Sequence, residues 1–158
     1  MARPIRLSPS GIFIPVAMRF MVGRALPQGP PIILPGGVTP LAAFPGLVLL
    51  ASERLYFDAS LNATNVGGAP FACGIFVTLT PTSPPGPPVS SITVASSAVP
   101  VGESATPTNR GVIVPPADGT YTLSWSADVA LGGGFDAGSV PNGGALFAWV
   151  IDAASSSV

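Results

Sequence analysis

Few residues in this chain are able to do chemistry. There are seven acids (Glu53, Asp58, Glu103, Asp118, Asp128, Asp136 and Asp152), six arginines and one cysteine, with neither histidine nor lysine. Without His, the commonest general base, the Ser-His-Asp arrangement and the usual zinc ligands are all missing. Without Lys, Schiff-base chemistry and lysine-assisted phosphate binding are gone. Cys73 lies in an apolar run, Phe71 to Phe76, and reads as a buried thiol that behaves as a small hydrophobe. A carboxylate pair for glycoside hydrolysis needs two acids facing each other across a cleft. Asp58 and Asp128, both on the polar faces of expected strands, are the candidates; two scattered surface acids are the simpler account. Asp118 and Asp136 fall in expected loops, where Ca²⁺ could find oxygen ligands, but neither region has the repeated acidic spacing of a calcium loop. Gly132-Gly133-Gly134 follows a strand yet opens no helix, so it makes no phosphate cradle. The expectation is a protein that is not an enzyme and needs no cofactor or metal.

The elements that would position such residues are strands. The 19 Gly and 20 Pro are spread along the chain as punctuation, and few windows are long enough for a helix without one of them. Residues 55–62 alternate apolar and polar positions, the period of a half-buried strand. Residues 71–80 form a second strand with apolar residues on both faces, and 89–95 a third, separated by a stiff proline-rich loop over 81–88. After Val112-Ile113-Val114 and a turn ending in Asp118-Gly119 comes the strongest pattern in the chain. Tyr121, Leu123, Trp125, Ala127, Val129 and Leu131 alternate with small, mostly hydroxylated residues. A closing strand, 145–151, carries Trp149. Residues 1–46 hold nine prolines at short intervals and read as an extended arm with brief edge strands such as 11–21. The expected architecture is therefore all-β: an antiparallel β-sandwich or jelly roll over 47–158, with an extended Pro-rich N-terminal arm over 1–46.

Composition says how such a domain must live. Hydrophobic residues are 47% of the chain and charged residues 8%, against roughly 25% charged in an average domain. Two readings follow: much of the surface is covered by neighbours, or a Ser/Thr-rich domain tolerates low charge. A net charge of −1 offers no clustered cations for phosphates, which excludes nucleic acid as a partner. Four of the six arginines, Arg3, Arg6, Arg19 and Arg24, lie in the first 24 residues, as a patch for an acidic surface or as a few solvated charges. The apolar start is broken by Pro15 and Arg19, and the longest apolar run is 11 residues, 41–51, with Pro45 and Gly46 inside it. Neither a signal peptide nor a membrane-spanning helix, which needs about 20 residues, is expected.

The stretch from Val112 to Ser124, a strand, a proline turn and then Gly119-Thr120-Tyr121-Thr122-Leu123-Ser124, resembles a pattern of C1q/TNF-like trimeric jelly rolls. It is similar also to the small jelly-roll modules of bacteriophage capsid decoration (cement) proteins and fibre tips. The resemblance covers about 40 residues, 112–151. The Pro-rich arm and the lack of a collagen-like stalk depart from the secreted family and suit the phage case. The resemblance implies a virion structural protein, made in the host cytoplasm and placed on the capsid surface. It would form homotrimers and dock on the major capsid protein or another virion component, with no membrane contact. On that reading Arg3, Arg6, Ile12, Phe13, Ile14, Arg19 and Phe20 of the arm would dock. Tyr121, Leu123, Trp125 and Trp149 would pack in the core or between subunits. The alternative is a receptor-binding or fibre-tip module that recognises a cell-surface ligand.

Overall fold

Thirteen residues from Glu53 to Asn65 alternate without a break between buried and half-exposed positions, and this strand organises the molecule. A computed structural model describes residues 5–7, 13–15, 18–26, 38–65, 70, 72–94, 99–128 and 139–152. In chain order the strands are β1 (Ile5–Leu7), β2 (Phe13–Pro15), β3 (Met18–Leu26), β4 (Val38–Leu49), β5 (Glu53–Asn65) and β6 (Gly74–Ser83). There follow β7 (Val89–Val94), β8 (Ser104–Ala105), β9 (Thr108–Ile113), β10 (Gly119–Asp128) and β11 (Ser139–Asp152). Among the described residues there is no helix long and apolar enough to cross a membrane.

Apart from the small β1-β2 pair, the strands form two antiparallel sheets. Sheet I runs β3-β11-β5, with β9 and then β8 end to end along the far edge of β5; sheet II runs β4-β10-β6-β7. Four of the pairings are nested in the sequence: β6 with β7, β5 with β9, β4 with β10 and β3 with β11. The chain is thus one long hairpin, bent at β6-β7 and rolled so that alternate arms fall in opposite sheets. That is the jelly-roll arrangement, and the expected all-β sandwich is what the chain forms.

The core lies between the two inner faces. Leu55, Phe57, Ala59 and Leu61 of β5 and Leu146, Ala148 and Val150 of β11 meet Ile75, Val77 and Leu79 of β6 and Tyr121, Leu123 and Trp125 of β10. Each of the larger aliphatic or aromatic side chains contributes roughly 1.5–3 kcal/mol through burial, and each alanine methyl about 0.8 kcal/mol. The three β10 residues singled out from sequence are all in this core, and Cys73 is buried beside it. Residues 129–131, the end of the alternating stretch, lie outside the described residues. Trp125 reaches across to sheet I. A Cβ at Gly144 would come within 3.1 Å of its Cη2 and 2.6 Å of the Ser60 carbonyl oxygen, so only glycine lets β11, β5 and the indole close together. Gly144, one residue before the expected start of the closing strand, pairs with Leu61 and belongs to β11, just after a register shift between Pro141 and Gly144.

The expected boundary at residue 46 falls inside β4, and β3 pairs with β11, so part of the proline-rich segment belongs to the sheets. The prolines permit this because β4 is an edge strand: Pro40 and Pro45 need no N–H on the open side, and two register shifts against β10 absorb the irregularity. In β6 the second apolar face reduces to Phe76, half-buried and followed on that face by Thr78 and Thr80. The Pro115–Gly119 turn before β10 is closed by Tyr121, whose hydroxyl donates to the Ala117 carbonyl at 2.6 Å. Tyr121→Phe should keep the fold and lose about 1 kcal/mol in a urea titration; an unchanged midpoint would mean the turn needs no such tie.

Candidate interaction surface

The two outer faces differ in chemistry. Sheet II shows hydroxyls outward: Thr78 and Ser90 share a 2.9 Å hydrogen bond, and Thr120, Thr122, Ser124 and Ser126 of β10 line the same side. Sheet I shows rings. Pairing registers put Phe20 of β3, Trp149 of β11, Tyr56 of β5 and Val112 of β9 in one row across four strands. Tyr56 and Trp149 stack with ring centroids 6.0 Å apart and planes within 11°. Phe20 is 51% exposed, Phe147 47%, Met18 48% and Val112 47%. A monomer leaves these in water, which makes the outer face of sheet I the apolar surface that most needs a cover.

Charged groups frame the row. Asp58 accepts from Nε of Arg110 across the β5-β9 pair at 2.9 Å, and Arg54 follows the same outward alternation two residues from Tyr56. A hollow of about 370 Å³ opens here, lined by Tyr56, Asp58, Arg110, Val112, Trp149 and the Phe57-Gly111 backbone pair. Aromatic rings beside arginine are the composition of interface hot spots.

The residues singled out from sequence are distributed unevenly on this frame. Arg3 and Ile12 lie outside the described residues; Arg6, Phe13 and Ile14 belong to the β1-β2 pair, with Arg6 opposite Ile14. Phe20 is in the exposed row. Arg19, its neighbour, is tied within the chain: its guanidinium donates to both carboxylate oxygens of Glu53, at 3.0 and 3.3 Å, and to the Val48 carbonyl at 3.0 Å. Glu53 in turn accepts from the Leu50 amide at 2.8 Å, so this group ties β3 to the β4-β5 turn. Glu53→Ala should cost about 2 kcal/mol and Arg19→Ala under about 1, because the arginine is half exposed while the carboxylate also holds a backbone amide. Equal losses in denaturant titration would refute that division. Trp149 is not in the core; it stands half-buried on the outer face, because the residues of β11 that point inward are Leu146, Ala148 and Val150.

Asp58 and Asp128 are on strands of different sheets, β5 and β10, and Asp58 is held by Arg110. Asp118 accepts from the Ala51 amide at 2.7 Å, a tie between two turns. Asp136 lies outside the described residues. Sequence reasoning passed over Tyr56, Phe147, Val112 and Arg110. The signal was present in 146–151, Leu-Phe-Ala-Trp-Val-Ile, where apolar residues occupy both faces of one strand.

The rolled topology has a counterpart in a solved virus structure. A chain in the structure of infectious bursal disease virus, Gx strain, superposes with a TM-score of 0.51 at 14% identity, over 96% of this chain and 37% of that one. The likeness is one of fold. A chain of the T13 viral particle of the same virus gives 0.49 at 12% identity, over 95% of this chain and 38% of that one. This chain spans less than two fifths of the length of either. No family model matches it, and no curated protein matches it in sequence.

Proposed function

We propose that this chain is a structural protein of a virion, a jelly-roll subunit that works by assembly rather than by catalysis. The observation that carries this reading is the exposed aromatic row on sheet I of a domain with only 8% charged residues. Such a face is costly in water and is satisfied by a protein neighbour. The fold likeness to a chain of a virus structure supports the setting. In its finer form the reading is a bacteriophage decoration (cement) protein. Copies would associate, three to a unit on the C1q/TNF-like pattern, and residues 1–17, with Arg3, Arg6, Ile12, Phe13 and Ile14, would grip the capsid surface.

The test is the solution mass of the purified chain by light scattering, with and without residues 1–17, which precede the first strand of either sheet. An oligomer that survives the truncation while binding to the capsid is lost supports both halves of the reading. A monomer at every concentration removes the assembly role.

A second reading, a receptor-binding module, draws on the hollow beside Tyr56, where rings and the Asp58-Arg110 pair offer a small ligand both stacking and polar contacts. On that reading Arg110→Ala lowers attachment to cells and leaves the solution mass unchanged.

A further inference from the structure

We infer that the outer face of sheet I packs against the same face of a second copy, about a two-fold axis running across the strands through the Phe20-Trp149-Tyr56-Val112 row. The inference rests on the self-assembly reading above and names its contact.

Pairing registers lay out the face as three rows. The central one is Phe20-Trp149-Tyr56-Val112. Two residues away on one side is Met18-Ile151-Arg54; on the other, where a register shift sets Gly23 three residues from Phe20, is Gly23-Phe147-Asp58-Arg110. When two copies of a sheet face each other, a two-fold axis relating them must lie in the plane between them. An axis across the strands sets each strand antiparallel over its own copy and exchanges the two outer rows. Arg54 of each copy then stands over Asp58 of the other, giving two symmetry-related ion pairs. Met18 and Ile151 come over the Phe20-Phe147 end, where Phe20 leans toward Gly23: a Cβ on that glycine would meet its Cζ at 2.9 Å and the Phe147 ring at 3.3 Å. Sulfur and methyl groups against ring faces and edges are favourable contacts. An axis along the strands through the middle of the face would instead lay β5 over β11 of the other copy, setting Arg54 against Ile151 and Asp58 against Phe147 with no opposite charge across the contact. Charge and shape thus favour the first arrangement.

Size agrees with a reversible contact. Four strands about 4.8 Å apart and some six residues long at about 3.4 Å each give a footprint near 400 Å² in projection. Standing side chains enlarge the accessible area, but the contact belongs at the small end of specific interfaces. On the outer face of sheet II, Val38, Val48 and the half-buried Phe76 stand among hydroxyls and form no continuous row of rings.

The pairing predicts even-numbered assemblies: dimers, or trimers joined in pairs where a three-fold contact also forms. The experiment is sedimentation of the full chain over a concentration series, with Arg54→Asp, Asp58→Arg, Trp149→Ala and a one-to-one mixture of the two charge variants. Each single variant should weaken association at least about tenfold. The mixture should recover it as a heterodimer. The aspartate introduced at position 54 of one chain then meets the arginine introduced at position 58 of the other, and the two unaltered residues still pair. Asp58→Arg also loses its own partner Arg110, so thermal melts accompany each variant. Should that variant not fold, Arg54→Asp and Trp149→Ala decide the matter. Association unchanged in these two, or a mixture that folds and recovers nothing, overturns the two-fold contact. A trimer indifferent to every variant overturns it too and leaves the virion reading standing. A chain that is monomeric at all concentrations overturns both.

Discussion

Replacing Trp125 with alanine is expected to cost about 3–5 kcal/mol, the range for deleting a large aromatic from a packed core. The side chain is completely buried and crosses from sheet II to touch the Gly144 region of sheet I. Its loss opens a cavity between two sheets whose backbones are fixed by antiparallel ladders and can collapse little. A domain of ordinary stability, roughly 5–15 kcal/mol, would lose a large share of it. A conservative change is milder. Indole Nε1 is buried with no hydrogen-bond partner among the described residues, so Trp125→Phe removes an unsatisfied donor along with some volume. The phenylalanine variant should therefore lie much nearer to wild type than to alanine. Gly144→Ala should remain damaging in both backgrounds, because its Cβ meets the Ser60 carbonyl oxygen whatever residue stands at 125. Urea titration followed by far-UV circular dichroism reads all of these. An alanine variant within about 1 kcal/mol of wild type would show that the indole does not hold the sheets together.

Asn109 carries the second large effect. It is 1% exposed and belongs to β9 of sheet I, yet its amide nitrogen donates to the carbonyls of Ile75 in β6 and Ser91 in β7, at 3.2 and 3.0 Å. Its oxygen accepts from the Ser91 hydroxyl at 3.1 Å. One side chain therefore links the two sheets where β9 faces β6 and β7. Asn109→Ala should lose about 3 kcal/mol, since three hydrogen bonds disappear and buried polar groups lose their partner. Asn109→Asp should be worse, because it sets a carboxylate against two carbonyl oxygens in place of a donor. The order of midpoints, wild type above alanine above aspartate, is the check. An aspartate variant as stable as the asparagine would mean that the amide donors contribute nothing.

What the sequence by itself determined is what depends on neighbouring residues. Alternation along 55–62 and from Tyr121 onward announced strands and their inward faces, because a pleated backbone sends successive side chains to opposite sides whatever it pairs with. The same logic put Tyr121, Leu123 and Trp125 on one buried face, and the sandwich makes that face its core. The absence of His and Lys removed whole classes of chemistry without reference to any fold.

Only the tertiary structure decided which strand lies beside which. Pro40 and Pro45 allow only a brief edge strand by themselves; sheet order shows that the edge they occupy is the 12-residue β4, where an absent N–H on the open side breaks no ladder. Asn109 reads as an ordinary polar residue until β9 is brought opposite β6 and β7. Trp149, an aromatic in an apolar strand, reads as core until Leu146, Ala148 and Val150 claim the inner face and Tyr56, from far earlier in the chain, arrives beside its ring. Side-chain direction along a strand is set by local backbone geometry. Partnership between strands is set by contacts distant in sequence, which become favourable only once the whole sheet has closed.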